Sequence, residues 1–250
     1  MKISVITATY NREKSILRSI KSTKSQDYKN VELVMIDGGS SDETVELAKP
    51  YLTKNDILIS EKDKGIYDAL NKGIENSTGE IISFLHSDDI FSDNNVLSMI
   101  ASVFKENDVD LVYGDASFFK GESINRSIRK YKSDKLSKKN LAWGKMPAHT
   151  AMFFKKEIYQ KYGYFKTNYK ICGDYEFLCR ISSRANIKSL YFPQVFVKMQ
   201  TKGASTSGFS STIQLNKEIY KACNENNIYT NYFMIMSKYP SKILQFLRTT

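Results

Sequence analysis

The amino-acid sequence predicts an α/β protein, with a mostly parallel central sheet flanked by helices and a helical extension at the C-terminal end. Three observations carry this reading. Short apolar runs rich in β-branched residues recur near residues 3–7, 31–36, 56–60, 81–85 and 109–114. Stretches of helical periodicity separate them. Each run stops at a polar turn, and the connections are short. Strand–helix alternation of this kind implies parallel strands joined by right-handed crossovers. The turns at 7–11, 37–40, 61–64 and 86–89 must then gather on one edge of the sheet.

Ile3 to Thr7 is the first strand, and Asn11 is placed to cap a helix over 12–25 whose Ile16, Leu17 and Ile20 share a face. Val31 to Ile36 is the second strand. It ends at Asp37-Gly38-Gly39-Ser40, where Ser40 and Glu43 have capping-box spacing. Asp56 to Ser60 is a third strand. The next helix runs from Gly65 to about Asn76 with Ile66, Leu70 and Ile74 inward. Ile81 to Leu85 reads as a strand covered on both faces, with Asp89 or Asp93 capping a helix near 94–105. Val109 to Gly114 is the fifth strand.

The rhythm changes after residue 115. Residues 118–131 are polar and basic, and read as a hairpin or a mobile segment; 133–139 is lysine-rich. A strand at 150–154, a short helix at 155–162, a helix at 174–184 and a strand at 189–199 follow. Residues 201–211 read as a loop, 212–226 as a helix, and 229–247 mixes aromatic and aliphatic residues with lysines.

The chain has 250 residues, 41% of them hydrophobic and 26% charged, which is globular composition. Its net charge of +10 favours an anionic partner. Three cysteines without zinc-site spacing suggest reduced thiols and a cytoplasmic setting. No signal peptide or bilayer-spanning run is expected.

The chemistry-bearing groups sit at the strand ends. Asp88 and Asp89 are adjacent carboxylates that repel unless a cation or donor lies between them. Mg²⁺ or Mn²⁺ on a diphosphate meets that need, while a helix cap is the plainer alternative. Asp37, before two glycines, suits a ribose hydroxyl or a base N–H, or simple capping. Asp63 and Lys64 open a helix on which Asp68 and Asn71 share a face. These last two suit a sugar or brace the neighbouring loop. His149 follows Pro147-Ala148, and a lone histidine is more often structural. Asp174 opens a helix as a cap or as a general base, while helical spacing turns Glu176 away. A dinucleotide-binding oxidoreductase wants G-x-G-x-x-G after the first strand, and that turn contains no glycine.

The ordered motifs Ser4-Val5-Ile6-Thr7-Ala8-Thr9-Tyr10-Asn11, Asp37 to Asp42, Ser60 to Gly73 and Ser87-Asp88-Asp89 together resemble glycosyltransferase family 2. Bacterial enzymes of O-antigen and other surface polysaccharides are the nearest likeness, over roughly residues 2–207. The resemblance implies a GT-A fold, a Rossmann-like sheet that binds a nucleotide-sugar, followed by an acceptor-binding part. Residues 1–114 would be the former, 115–207 the latter and 208–250 the extension. It also implies inverting transfer. Thr7, Thr9 and Asp37 would hold the nucleoside, with Asp63, Lys64, Asp68 and Asn71 in the nucleotide-sugar set. Asp88 would reach donor and metal, Asp89 the metal, and Asp174 would be the catalytic base. His149 and His86 would contact or support the acceptor side. Gly203 to Ser207 resembles a loop near the donor phosphates. Gly173 before Asp174 and His86-Ser87 before the carboxylates depart from the usual pattern.

The expected activity is therefore a Mn²⁺- or Mg²⁺-dependent transfer of a hexose or N-acetylhexosamine from a UDP-sugar to a polyprenyl-diphosphate-linked oligosaccharide. Galactose or glucose in β-1,3 linkage is the specific guess. The basic, aromatic tail would touch the inner face of the cytoplasmic membrane, or pack on the protein's own core. No nucleic-acid partner is expected. Two other classes compete. A non-catalytic basic module for nucleic acid or anionic lipid would lack the acidic turns. A nucleotidyltransferase would need a phosphate-cradling cation in the first turn, where Arg12 alone qualifies.

Overall fold

The computed structural model describes residues 1–201 and 209–239. The first half runs β1 (Ile3–Thr9), α1 (Ile16–Lys24), β2 (Val31–Asp37), α2 (Thr44–Ala48), β3 (Ile57–Ser60), α3 (Ile66–Asn76), β4 (Ile81–Phe84), β5 (Ile90–Phe91) and α4 (Val96–Glu106). The second half runs β6 (Leu111–Phe119), β7 (Arg129–Tyr131), α5 (Lys138–Ala142), β8 (Met152–Lys155), α6 (Lys156–Tyr162), α7 (Gly173–Arg184), β9 (Ser189–Gln200), α8 (Phe209–Glu225) and α9 (Tyr232–Met236). The strands form one sheet in the order β3-β2-β1-β4-β8-β6-β9-β5, with β7 also on β6.

Strand alternation divides the core into two layers. Ile3, Val5, Leu33 and Met35 pack with Ile16, Ile20 and Ile100 of α1 and α4. Ile6, Val34, Ile36 and Ile82 pack with Leu70 and Ile74 of α3 and Leu178 of α7. β1 pairs in parallel with β2 and β4, and β2 with β3. Their C-terminal ends therefore share one edge. The adjoining turns are tied there, with Gly38 N donating to Thr9 O at 2.9 Å and Glu61 N to Asp37 O at 3.0 Å.

Several local expectations are corrected. Beyond the parallel β3-β2-β1-β4 run, β8 inserts antiparallel between β4 and β6, because the chain returns through the His149–Ala151 turn at the site edge. Asn11 does not cap α1. It has φ 51°, and its Oδ1 accepts from Ser41 N at 2.9 Å. Ser40 and Glu43 form no capping box, because the Ser40 hydroxyl is committed to Asp37; Asp42 instead accepts from Thr44 N at 3.0 Å. Neither Asp89 nor Asp93 caps α4, whose first flanking residue is Asn95. Ile66 is exposed, and Tyr67 takes the buried position. Residues 118–131 form the β6–β7 hairpin, and α5 was not foreseen in the lysine-rich stretch.

The C-terminal helices pack on the main core. Ile219, Ala222, Cys223, Ile228 and Ile235 join the layer that contains α3 and α7. Tyr229, Tyr232, Phe233 and Met236 face solvent. No helix among the described residues is long and apolar enough to cross a membrane. The loop 203–207 and the tail beyond residue 239 lie outside the described residues.

Candidate active site

Asp37 ends β2 fully buried and frames the loop that follows. Its Oδ2 accepts from Gly39 N at 3.1 Å, Ser40 N at 2.9 Å and the Ser60 hydroxyl at 2.7 Å, while Oδ1 accepts from the Ser40 hydroxyl at 2.5 Å. Ser40 in turn accepts from Asn11 N at 2.8 Å, which ties the first two turns together. On neighbouring β1, the buried hydroxyls of Thr7 and Thr9 have no hydrogen-bond partner among the described residues. Orphaned buried hydroxyls call for an external partner.

Asp63 lies against this loop. A Cβ on Gly38 would fall only 2.6 Å from its Oδ2, and its Oδ1 accepts from Gly65 N at 2.8 Å. Lys64 contributes its backbone N–H to Asp68 at 3.0 Å. Lys72 lies 2.7 Å from Glu61 and 3.7 Å from Asp68. Asn71 is engaged at both ends of its amide by Phe165, at 2.8 and 2.9 Å, so its side chain serves as a brace.

Asp88 and Asp89 follow β4 in a tight turn. Asp89 is 4% exposed, and its Oδ1 accepts from Gln200 N at 3.1 Å. Burial, and then the adjacent Asp88 charge, push its carboxyl well above the usual range. Such a carboxylate needs a proton or a cation. The hard-oxygen pair suits a divalent ion, and residues 88 and 89 fit that requirement. Among the described residues there is no cluster of three or more His, Cys, Asp or Glu side chains. Arg18, not singled out by its sequence context, donates to Asp88 O at 3.1 Å and to Gln200 Oε1, and lies over the Phe119 ring at 4.9 Å.

Asp174 lies in the first turn of α7. The Tyr67 hydroxyl approaches its Oδ1 at 3.2 Å and bonds Ile171 O at 2.6 Å. Burial pushes the Asp174 carboxyl up, opposed by hydrogen bonds from Tyr175 N and Tyr67. Gly173 has a packing reason. A Cβ there would meet three atoms of the Tyr67 ring at 2.8 Å. His149 Nδ1 is 3.7 Å from Asp174 Oδ2, and its ring stacks on Phe84 at 5.2 Å. Burial lowers its pKa to about 4, so at neutral pH this contact is not an ion pair. His86 lies 5.9 Å from the His149 ring. Burial and then His149 lower its pKa to about 4, while Asp88 and Asp174 both pull it upward. His86 therefore feels both the paired-carboxylate turn and the helix α7 carboxylate.

The structure thus brings Asp88, Asp89, His86, His149 and Asp174 toward the C-terminal end of β4, with Thr7, Thr9, Asp37 and Asp63 on β1, β2 and the turn after β3. Tyr67, Arg18 and Gln200 are additions. Tyr67 lay inside a recognised motif, whereas Arg18 and Gln200 become neighbours only through the sheet.

The glycosyl transferase family 2 model matches residues 4–163. The chain belongs to that family. Membership makes it a glycosyltransferase, and the curled sheet with flanking helices is the GT-A fold. A PGL/p-HBAD biosynthesis glycosyltransferase of Mycobacterium bovis (strain BCG / Pasteur 1173P2) is 29% identical over 222 residues, covering 87% of this chain and 82% of that one. Among solved structures, S. aureus TarS 1-349 in complex with UDP-GlcNAc has a TM-score of 0.68 at 19% identity, covering 100% of this chain and 72% of that one. The mannosyltransferase PcManGT of Pyrobaculum calidifontis, in complex with GDP-Man and Mn²⁺, has a TM-score of 0.65 at 17% identity, covering 99% and 73%. This family 2 chain spans 44% of a longer S. aureus TarS structure.

Proposed function

We propose that this family 2 glycosyltransferase moves a hexose or N-acetylhexosamine from a UDP-sugar to a hydroxyl of a lipid-linked acceptor, with inversion. The observation that carries the reading is the short chain of contacts between the two acidic elements: His86, two residues before Asp88, lies 5.9 Å from the His149 ring, and His149 Nδ1 lies 3.7 Å from Asp174. In this reading the Asp88–Asp89 pair is suited to a diphosphate-bound cation, and Asp174, reached through the two histidines, is a separate carboxylate suited to a base.

In this reading the unpartnered Thr7 and Thr9 hydroxyls meet the nucleoside, and Asp37 shapes the loop against which it lies. Asp63, Lys64 and Asp68 border the donor, and Asn71 acts through the brace to Phe165. Asp88 and Asp89 would hold Mn²⁺ or Mg²⁺. When bound, the ion offsets charge on the leaving diphosphate. Asp174 accepts the proton of the attacking hydroxyl, and its raised pKa makes it a stronger base than an ordinary aspartate. Tyr67 fixes that carboxylate, and neutral His149 packs beside it without competing for its charge.

One structural neighbour supports a nucleotide-sugar donor. TarS binds UDP-GlcNAc, and the mycobacterial relative is named for PGL/p-HBAD biosynthesis. We place the acceptor on a polyprenyl diphosphate in surface-polysaccharide assembly, at the inner membrane face. The exposed Tyr229, Tyr232, Phe233 and Met236 favour contact with lipid there. The UDP-sugar screen uses a synthetic polyprenyl-diphosphate sugar acceptor, followed by linkage analysis, with and without EDTA. Transfer by the wild type, lost in EDTA and restored by Mn²⁺ or Mg²⁺, is the expected result. Asp174→Asn should lower kcat by about 10²- to 10⁴-fold while still binding UDP. Near-wild-type transfer by that variant would remove the base assignment.

A further inference from the structure

The segment that leads into Asp174 is fastened by a residue from a different helix. Lys170, Ile171 and Cys172 precede α7, and Cys172 supplies no side-chain cap to it. Glu218 of α8 takes over their backbone donors. Its Oε1 accepts from Lys170 N at 2.9 Å, and its Oε2 accepts from Ile171 N at 2.9 Å and Cys172 N at 2.8 Å. Gln214, one turn earlier, donates to the same Oε1 at 2.8 Å. Glu218 is 5% exposed. Burial works against its charge, but these four donors outweigh burial and hold its carboxyl below the usual range. Hydrogen bonds to a charged acceptor are about twice as strong as neutral ones.

The carbonyl side of the same segment is held independently. Ile171 O accepts from the Tyr67 hydroxyl, which also reaches Asp174. Residues 170–172 are therefore pinned on their N–H side by α8 and at Ile171 O by α3, three residues before the carboxylate. Ordinary anchoring of α8 is already supplied by the buried Ile219, Ala222 and Cys223. A buried carboxylate spent on three consecutive amides does something those residues do not.

We propose that Glu218 is a positioning residue for Asp174, so that the C-terminal helix sets the geometry of the base. This rests on the reading of Asp174 as base. Both residues lie beyond the span 4–163 of the family match.

The test measures UDP release from UDP-GlcNAc, UDP-glucose and UDP-galactose with water as acceptor. In that reaction water oxygen bonds to the anomeric carbon, the bond to the diphosphate breaks, and the water proton passes to Asp174. Glu218→Gln keeps the shape but turns amide donors toward backbone N–H groups. It should lower kcat by about 10- to 100-fold, leave the affinity for UDP within about two-fold, and speed amide hydrogen exchange at residues 170–172. Glu218→Asp should fall between it and the wild type. In an Asp174→Asn background, Glu218→Gln should add little further loss, since both act on one step. Retained UDP release by Asp174→Asn alone would overturn the base assignment and this proposal with it. With that variant slowed but still measurable, three results would overturn the positioning role alone: unchanged kcat and unchanged exchange in Glu218→Gln, a loss of UDP affinity matching the loss of kcat, or an equal added loss in the Asp174→Asn background. If Glu218→Gln does not fold, Glu218→Asp with the same exchange measurement decides the matter.

Discussion

The hydroxyl of Tyr67 lies 3.2 Å from Oδ1 of Asp174, although 107 residues separate them. The contact joins the first turns of α3 and α7, and the Tyr67 ring fills the space left by the missing side chain of Gly173. A donor at this distance favours the ionised carboxylate and so opposes the effect of burial.

Tyr67→Phe removes that donor and leaves the ring. The Asp174 pKa then rises further. The base is active only when ionised, so the acidic limb of the pH–rate profile should move to higher pH. At a pH on that limb, turnover falls; well above it, turnover approaches the wild-type value. A pH profile of kcat/KM for both proteins checks this, and an unshifted limb would detach Tyr67 from the base.

Asp89 tests the cation. Its buried carboxyl is pushed up by burial and by Asp88, so a divalent ion should bind and stabilise the fold. Mn²⁺ together with UDP should raise the Tm of the wild type by several degrees (about 4 °C for 2 kcal/mol). Asp89→Asn should remove that increment and lower turnover about 100-fold or more. A thermal-shift titration reads the first effect without needing an acceptor. An equal shift in both proteins would argue against Asp89 as a ligand.

Glu32 tests the frame under the site. It receives hydrogen bonds from the Ser4 hydroxyl at 2.6 Å, Thr78 N at 2.5 Å and the Thr78 hydroxyl at 2.6 Å, and it pairs with Lys2 at 2.5 Å. Burial alone would raise its pKa, but these partners, Lys2 foremost, hold it at about 2 against an ordinary 4.5. A depressed carboxyl pKa contributes stability above the unfolded value, and that stability is lost as pH falls through the folded value. Glu32→Gln should cost about 2 kcal/mol at neutral pH, with the gap to the wild type closing between pH 4.5 and pH 2. Urea unfolding across that range measures it; a gap independent of pH would mean that the charge does not matter.

The exposed side chains near α9 test membrane contact. Phe233 is 80% exposed and Tyr229 81% exposed. Replacing both with serine should reduce co-flotation with vesicles rich in anionic phospholipid, and UDP binding should stay unchanged. Flotation equal to the wild type would exclude this patch as the contact.

The sequence alone determined the strand–helix alternation, the two-faced apolar strands and the acidic turns that end them, because these are local patterns with periods of 2 and 3.6 residues. Ordered motifs around Asp37, residues 60–73 and Asp88-Asp89 were enough to indicate the family. Tertiary structure decided the rest. The antiparallel insertion of β8 depends on where a strand finds a partner, which periodicity does not encode. Asn11 and Ser40 carry good capping signals, yet inter-turn hydrogen bonds outbid the helix for their side chains. Arg18 and Gln200 are 182 positions apart and meet only because α1 and the end of β9 converge on the Asp88–Asp89 turn. Glu218 reads as one more charge on a surface helix until folding buries it against three backbone amides. Long-range pairing of buried polar groups is set by the whole sheet, so no local window of residues contains it.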